Sequence, residues 1–228
     1  AAMADLSGLT PQHREAAATL EGPVLILAGA GTGKTRTLTH RVAHMVDRGI
    51  APGNILAVTF TNKAAREMQQ RVAKLLPKPR ARDDGPPPKP TICTFHSLCV
   101  RILRRHIEKL GYKRNFVIYN ESEQLGVVKK ILAAITGKDV KADPRELHAL
   151  LSRIKNAGPG GRIFANEDSL AMAETLRRRY DTALKACNAV DFDDLLVLTL
   201  RLFEEHPEAL EQCRARYLYV MVDEYQDT

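Results

Sequence analysis

The segment that most constrains this chain is Ala28-Gly29-Ala30-Gly31-Thr32-Gly33-Lys34-Thr35. It follows an apolar run, Val24-Leu25-Ile26-Leu27, and opens a stretch in which Leu38, Val42, Met45 and Val46 share one helical face. A buried strand that turns through glycines into a helix is a βα crossing of a parallel sheet. The glycines let the backbone close on an anion, and the helix start adds unpaired N–H groups and the positive dipole end. Such a loop cradles the phosphates of a nucleotide. Lys34 is placed to reach the β- and γ-phosphates, and the Thr35 hydroxyl to ligate Mg2+. The usual pattern has glycine where this chain has Ala28. That position ends the strand, where a small residue of negative φ fits.

A second signature lies at the other end of the sequence. Tyr217-Leu218-Tyr219-Val220-Met221-Val222 is a continuous apolar and aromatic run, and Asp223-Glu224 follows it directly. An Asp at a strand end can hold Mg2+ through its water shell, while the adjacent Glu orients or deprotonates an attacking water. A kinase has less need of that Glu, so the pair favours hydrolysis over phosphotransfer.

Residues 55–59 and 91–93 join 24–27 as expected strands, buried on both faces because their apolar residues are continuous. Residues 34–46 and 62–76 read as the helices between them, the second with Ala65, Met68, Val72 and Leu75 on one face. The rhythm predicts an α/β fold on a parallel sheet. Residues 77–90, with six prolines, read as a surface loop. Beyond residue 111 the expected elements are helices, at 121–135, 144–156 and 169–187, broken at Gly158-Pro159-Gly160-Gly161. The expected organisation is a core of residues 1–110 and 190–228, interrupted by an all-helical subdomain at 111–189.

Hydrophobic content of 44% and charged content of 27% are those of an ordinary globular protein. No run approaches the roughly 20 apolar residues that span a bilayer, and no signal-peptide pattern opens the chain. A membrane partner is not expected. Cys93, Cys99, Cys187 and Cys213 have neither zinc-site nor disulfide-framework spacing, which points to a reducing, cytoplasmic setting. The net charge of +7 favours a polyanionic partner. It concentrates around Arg101, Arg104, Arg105, Lys109, Lys113 and Arg114, and around Arg71, Lys74 and Lys78, although solvated helix faces give the same pattern.

Five motifs in order carry a family resemblance. They are the loop through Arg36, Val58-Thr59-Phe60-Thr61-Asn62-Lys63-Ala64-Ala65, Thr94-Phe95-His96-Ser97, Asp191-Phe192-Asp193-Asp194-Leu195, and Val222-Asp223-Glu224-Tyr225-Gln226-Asp227-Thr228. With them the chain resembles the N-terminal part of Rep/UvrD/PcrA-type superfamily 1 DNA helicases over nearly its whole length. Lys185-Ala186-Cys187-Asn188 leans towards Rep within that group.

The resemblance implies a RecA-like P-loop core and an ATP-driven motor that moves 3′ to 5′ on single-stranded DNA. It implies that Gln12 reads adenine, that Arg36 lies near the base, and that Gln226 senses the γ-phosphate. It also implies DNA contacts from Phe60, Thr61 and Asn62 and from Thr94, Phe95 and His96, with Phe60 stacking on a base. A core Phe closing a strand and a helix-entry His are the plainer alternatives. Asp191, Asp193 and Asp194 are expected to be structural, as acidic residues at a helix start. A second RecA-like core beyond Thr228 is expected to supply arginines to the transferring phosphoryl group. Residues 1–228 alone are therefore expected to bind nucleotide weakly and scarcely turn it over. A P-loop ATPase or kinase that does not touch DNA, and a non-catalytic DNA-binding module, remain as alternatives.

Overall fold

The computed structural model describes residues 5–29, 31–76, 88–135, 143–157, 163 and 167–227. Ala30, Thr228, most of the proline-rich segment and the break at 158–161 lie outside the described residues. The chain divides into two compact units, Ala1–Leu98 with Glu211–Thr228, and Cys99–Leu210. The sequence boundaries at 110 and 190 both fall within the second.

The first unit contains α1 (Pro11–Ala18), α2 (Lys34–Asp47), β1 (Ile55–Thr59), α3 (Asn62–Leu75), β2 (Thr91–Thr94) and β5 (Tyr219–Val222). The first turn of α4 (Phe95–His106) and the end of α9 (Pro207–Arg216) also belong to it. The sheet order is β2-β1-β5, and both pairings are parallel. β1 is buried at every residue. On one face Ile55 and Ala57 join Ile92 and Met221 against Leu38, Val42 and Met45 of α2 and Met68 and Val72 of α3. On the other, Leu56, Val58 and Cys93 meet Phe95, Leu98 and Tyr217. Each such aliphatic side chain contributes about 1.5–3 kcal/mol by leaving water, which is why continuous rather than alternating hydrophobicity marked this strand.

Local chemistry sets the helix limits. The Thr61 hydroxyl accepts the Ala64 N–H at 3.1 Å and caps α3. Arg41 of α2 is buried, and its Nη1 donates to the carbonyl of Ala16 at 2.6 Å and to that of Thr19. It thereby satisfies the carbonyls that end α1 and fastens that helix to α2.

One expected strand does not form. Residues 24–27 take no regular secondary structure and pair with no strand among the described residues, and Leu25 and Leu27 are 72% and 87% exposed. Only Ile26 packs against the core of the sheet. An apolar run records a tendency to be buried on two faces, but it does not name the strand that completes its ladder. β5 is an edge of the described sheet, and its Val220 is exposed as well.

The second unit holds the rest of α4, a short parallel pair of β3 (Val117–Ile118) with β4 (Ala189–Val190), and four long helices. These are α5 (Glu121–Ile135), α6 (Pro144–Ala157), α7 (Glu167–Ala186) and α8 (Phe192–Glu205). Val128, Leu132, Leu147, Leu150, Leu151, Leu176 and Leu184 fill the space between α5, α6 and α7. Part of the expected basic cluster is internally engaged. The Arg104 guanidinium lies 3.8 Å over the Phe116 ring, Lys109 pairs with Glu208 at 2.6 Å, and Arg114 with Glu108 at 2.7 Å.

Asp191 and Asp194 form a reciprocal capping box at the start of α8, the structural role expected of them. Their cation comes from another helix, and no motif marks it. Lys155 Nζ, from α6, lies 2.7 Å from Asp191, 2.8 Å from Asp194 and 3.4 Å from Asp181. The Tyr180 hydroxyl donates to Asp191 at 3.0 Å. One ammonium thus faces three carboxylates.

Burial pushes the Asp194 carboxyl from its ordinary 3.8 up to about 6, against the pull of Lys155 and with the help of Asp191. Between those values the folded unit keeps a proton that the unfolded chain has released. Its stability therefore falls as pH rises from 3.8 to about 6. In urea titrations followed by circular dichroism, Asp194→Asn removes that slope. Lys155→Met leaves buried carboxylates without their cation and lowers stability at neutral pH by about 3–5 kcal/mol.

Candidate functional site

Parallel strands end on the same side of a sheet, and ligands of such sheets gather there. Thr59 stands opposite Thr94, and Val58 opposite Val222. The residues that follow, Phe60, Phe95 and Asp223, therefore leave the sheet along one edge. The Asp223 N–H still donates to the Val58 carbonyl, at 2.9 Å.

The glycine loop reaches the same region. Gly31 and Gly33 have φ of 76° and 100°, a backbone region costly for any residue with a side chain. Thr32 closes the turn, its hydroxyl donating to the Gly29 carbonyl at 2.7 Å. Gly33 is the N-cap of α2 and makes no side-chain cap, so the N–H groups of the first turn stay available to an anion. Lys34 and Thr35 are the first two residues of that helix, both half-buried. Ala28 is half-buried and Gly29 exposed.

The two signatures meet. Lys34 Nζ lies 3.1 Å from Glu224 Oε2, across 190 residues of sequence. Gln226 Nε2 donates to the same carboxylate oxygen. These hydrogen bonds, that of Gln226 first and then that of Lys34, hold the Glu224 carboxyl below its ordinary range. Asp223 is buried, and burial, followed by the charge of Glu224, pushes its carboxyl up. Adjacent carboxylates thus sit in opposite environments. The backbone arranges this. Glu224 has φ of 54°, a left-handed conformation that costs a non-glycine residue about 1–2 kcal/mol.

A hydroxyl at Thr35 and a carboxylate at Asp223 are hard oxygen donors of the kind that Mg2+ prefers. A divalent cation would also offset the burial and repulsion that disfavour ionisation of Asp223. Among the described residues no cluster of three His, Cys, Asp or Glu could hold a metal by itself.

The expected DNA-contacting residues are partly brought together. The Phe60 and Phe95 rings lie 5.3 Å apart, tilted by 56°, and Phe60 remains 39% exposed. Asn62 is exposed at the start of α3, and the Thr61 oxygen is already used as its cap. Thr94 is buried, and its hydroxyl donates to Ser97 Oγ at 3.0 Å while accepting the Ser97 N–H, so it orders the start of α4. His96 is half-buried on that first turn.

Gln12 and Arg36 are both exposed. The neighbour of Gln12 is placed differently. The His13 ring is half-buried against the loop, with Cε1 3.6 Å from where a Cβ at Gly33 would stand. Sequence reading passed over His13 because no motif marked it. The only available signal was its position, one residue along the same helical turn.

A family model described as UvrD/REP helicase N-terminal domain matches residues 9–228. The chain is 44% identical over 227 residues to the ATP-dependent DNA helicase PcrA of Bacillus subtilis (strain 168), covering 98% of this chain and 30% of that protein. It is 43% identical over 226 residues to PcrA of Leuconostoc citreum, covering 97% and 29%. It is 42% identical over 228 residues to PcrA of Staphylococcus aureus (strain Mu50 / ATCC 700699), covering 98% and 30%. The chain thus spans about 30% of the length of these curated relatives. None of the three carries the Rep name towards which residues 185–188 lean.

The electrostatics of Glu224 can be checked directly. In a carboxyl-detected NMR titration, Gln226→Ala raises the Glu224 midpoint towards the ordinary range. Lys34→Met raises it in the same direction, because it removes both a hydrogen bond and a neighbouring positive charge.

Proposed function

The chain belongs to the UvrD/REP helicase family, matching its N-terminal domain, and on that premise we propose that it is the ATP- and single-stranded-DNA-binding part of an ATP-dependent 3′-to-5′ DNA helicase. The observation that carries this reading is the 3.1 Å approach of Lys34 to Glu224, which joins a phosphate loop to an acid pair. The loop from Ala28 to Thr35 cradles the phosphates, and Lys34 exchanges Glu224 for the β- and γ-phosphate oxygens. Glu224, so released, orients and deprotonates the attacking water. Gln226, now bonded to Glu224, turns to the γ-phosphate. Arg36 lies near the base. Thr35 and Asp223 would hold Mg2+, which when bound would neutralise charge on the phosphate oxygens.

The exposed Phe60, backed by Phe95, offers a base-stacking surface, and Thr61, Asn62, Thr94 and His96 lie around it at the same sheet edge. This pair favours a DNA-linked enzyme over a P-loop ATPase or kinase indifferent to DNA. The acid pair likewise disfavours a non-catalytic DNA-binding module. We assign residues 1–110 and 190–228 to a RecA-like core and 111–189 to a helical subdomain. No helix among the described residues is long and apolar enough to cross a membrane. The four cysteines, all free, support a reducing, cytoplasmic setting. In the longer parent, a second RecA-like core completes the site, so residues 1–228 alone bind nucleotide weakly and hydrolyse it poorly.

In the full-length parent, Lys34→Ala abolishes ATP-driven unwinding in a strand-displacement assay. Glu224→Gln keeps nucleotide binding but lowers single-turnover hydrolysis by about 10²–10⁴-fold; near-parental hydrolysis would remove Glu224 as the base. Phe60→Ala weakens single-stranded DNA binding by about 1–3 kcal/mol in fluorescence anisotropy. An ATPase rate that ignores added single-stranded DNA would favour the enzyme that does not act on DNA.

A further inference from the structure

We propose that His13, and not Gln12, is the residue of α1 that faces a bound nucleotide, and that the site consequently accepts adenine and guanine nucleotides alike. This inference rests on the nucleotide-site reading above.

The helices α1 and α2 begin side by side. The His13 ring lies against Gly33, and the Arg36 guanidinium lies against Gly8, 3.0 Å from where a Cβ there would stand. Arg41 holds the far end of α1 through the Ala16 carbonyl at 2.6 Å. The Thr10 hydroxyl accepts the His13 N–H at 3.4 Å and fixes the first turn. That turn is therefore a wall beside the phosphate loop. Successive residues of an α-helix point about 100° apart, so residues 12 and 13 cannot both look towards the loop. Gln12 is exposed, whereas His13 is half-buried on Gly33.

The exchange of an amide for an imidazole changes what can be read. A glutamine amide presents a donor and an acceptor side by side, and so pairs with the N7 acceptor and N6 donor of adenine together. A neutral imidazole carries its one donor and one acceptor on different sides of the ring, and engages a base edge with one of them at a time. The N7 acceptor is common to adenine and guanine, while the neighbouring group is a donor in one and an acceptor in the other. A single bond from His13 to N7 therefore does not discriminate between them.

The test is calorimetric binding of ADP and of GDP, each with Mg2+, to the full-length parent, with the same titrations of His13→Gln and Gln12→Ala. The expected result is dissociation constants for ADP and GDP that agree within about threefold, since a tenfold ratio already requires 1.4 kcal/mol of discrimination. His13→Gln shifts the preference towards ADP by about tenfold, and Gln12→Ala leaves it unchanged. A chain that prefers ADP by tenfold or more, and loses that preference in Gln12→Ala, overturns the assignment of His13 while leaving the nucleotide site standing. Binding of neither nucleotide overturns the nucleotide-site reading and this inference with it.

Discussion

The two parallel ladders of β1 fix where chemistry can occur in the first unit. Side-by-side strands that run the same way must end on the same side, so the loops after β1, β2 and β5 emerge together. The register, with Val58 beside both Cys93 and Val222, brings Phe60, Phe95 and Asp223 to one edge although they are far apart in sequence. Both faces of β1 are covered by apolar side chains, which makes slippage of that register costly.

Two pairs of acidic residues show how environment separates identical groups. Asp223 and Glu224 are neighbours in sequence, yet one is buried at a sheet end and the other reaches Lys34 and Gln226. Their carboxyls shift in opposite directions, the usual mark of a pair with divided roles. Asp191 and Asp194 instead face a common lysine and cap a helix. A sequence motif rich in aspartate therefore did not amount to a metal site. The deciding residue, Lys155, lies on another helix.

Much of the fold was legible because it depends on local pattern. The limits expected for residues 55–59 and 121–135 coincide with β1 and α5, where continuous burial and helical periodicity leave little choice. Residues 24–27 were misjudged because a strand is defined by its partner, and apolar composition carries no record of one. At the candidate site, the phosphate loop and the acid pair could be read because each is contiguous. The Lys34–Glu224 contact and the Phe60–Phe95 pair could not, because the sheet creates them. His13 was hidden by a different ambiguity: one step along a helix turns a side chain by about 100°, and spacing alone does not say which of two neighbours faces inward.

The shared central strand also limits how the two sites can move relative to each other. The acid pair hangs from one ladder of β1 and the aromatic pair from the other, and β1 itself is packed on both faces. Close-packed interiors transmit displacement but do not stretch. The two ends of the lever are thus cast in one piece, and their spacing is a constant of the fold. A displacement at one site is therefore carried to the other only as movement of this whole body.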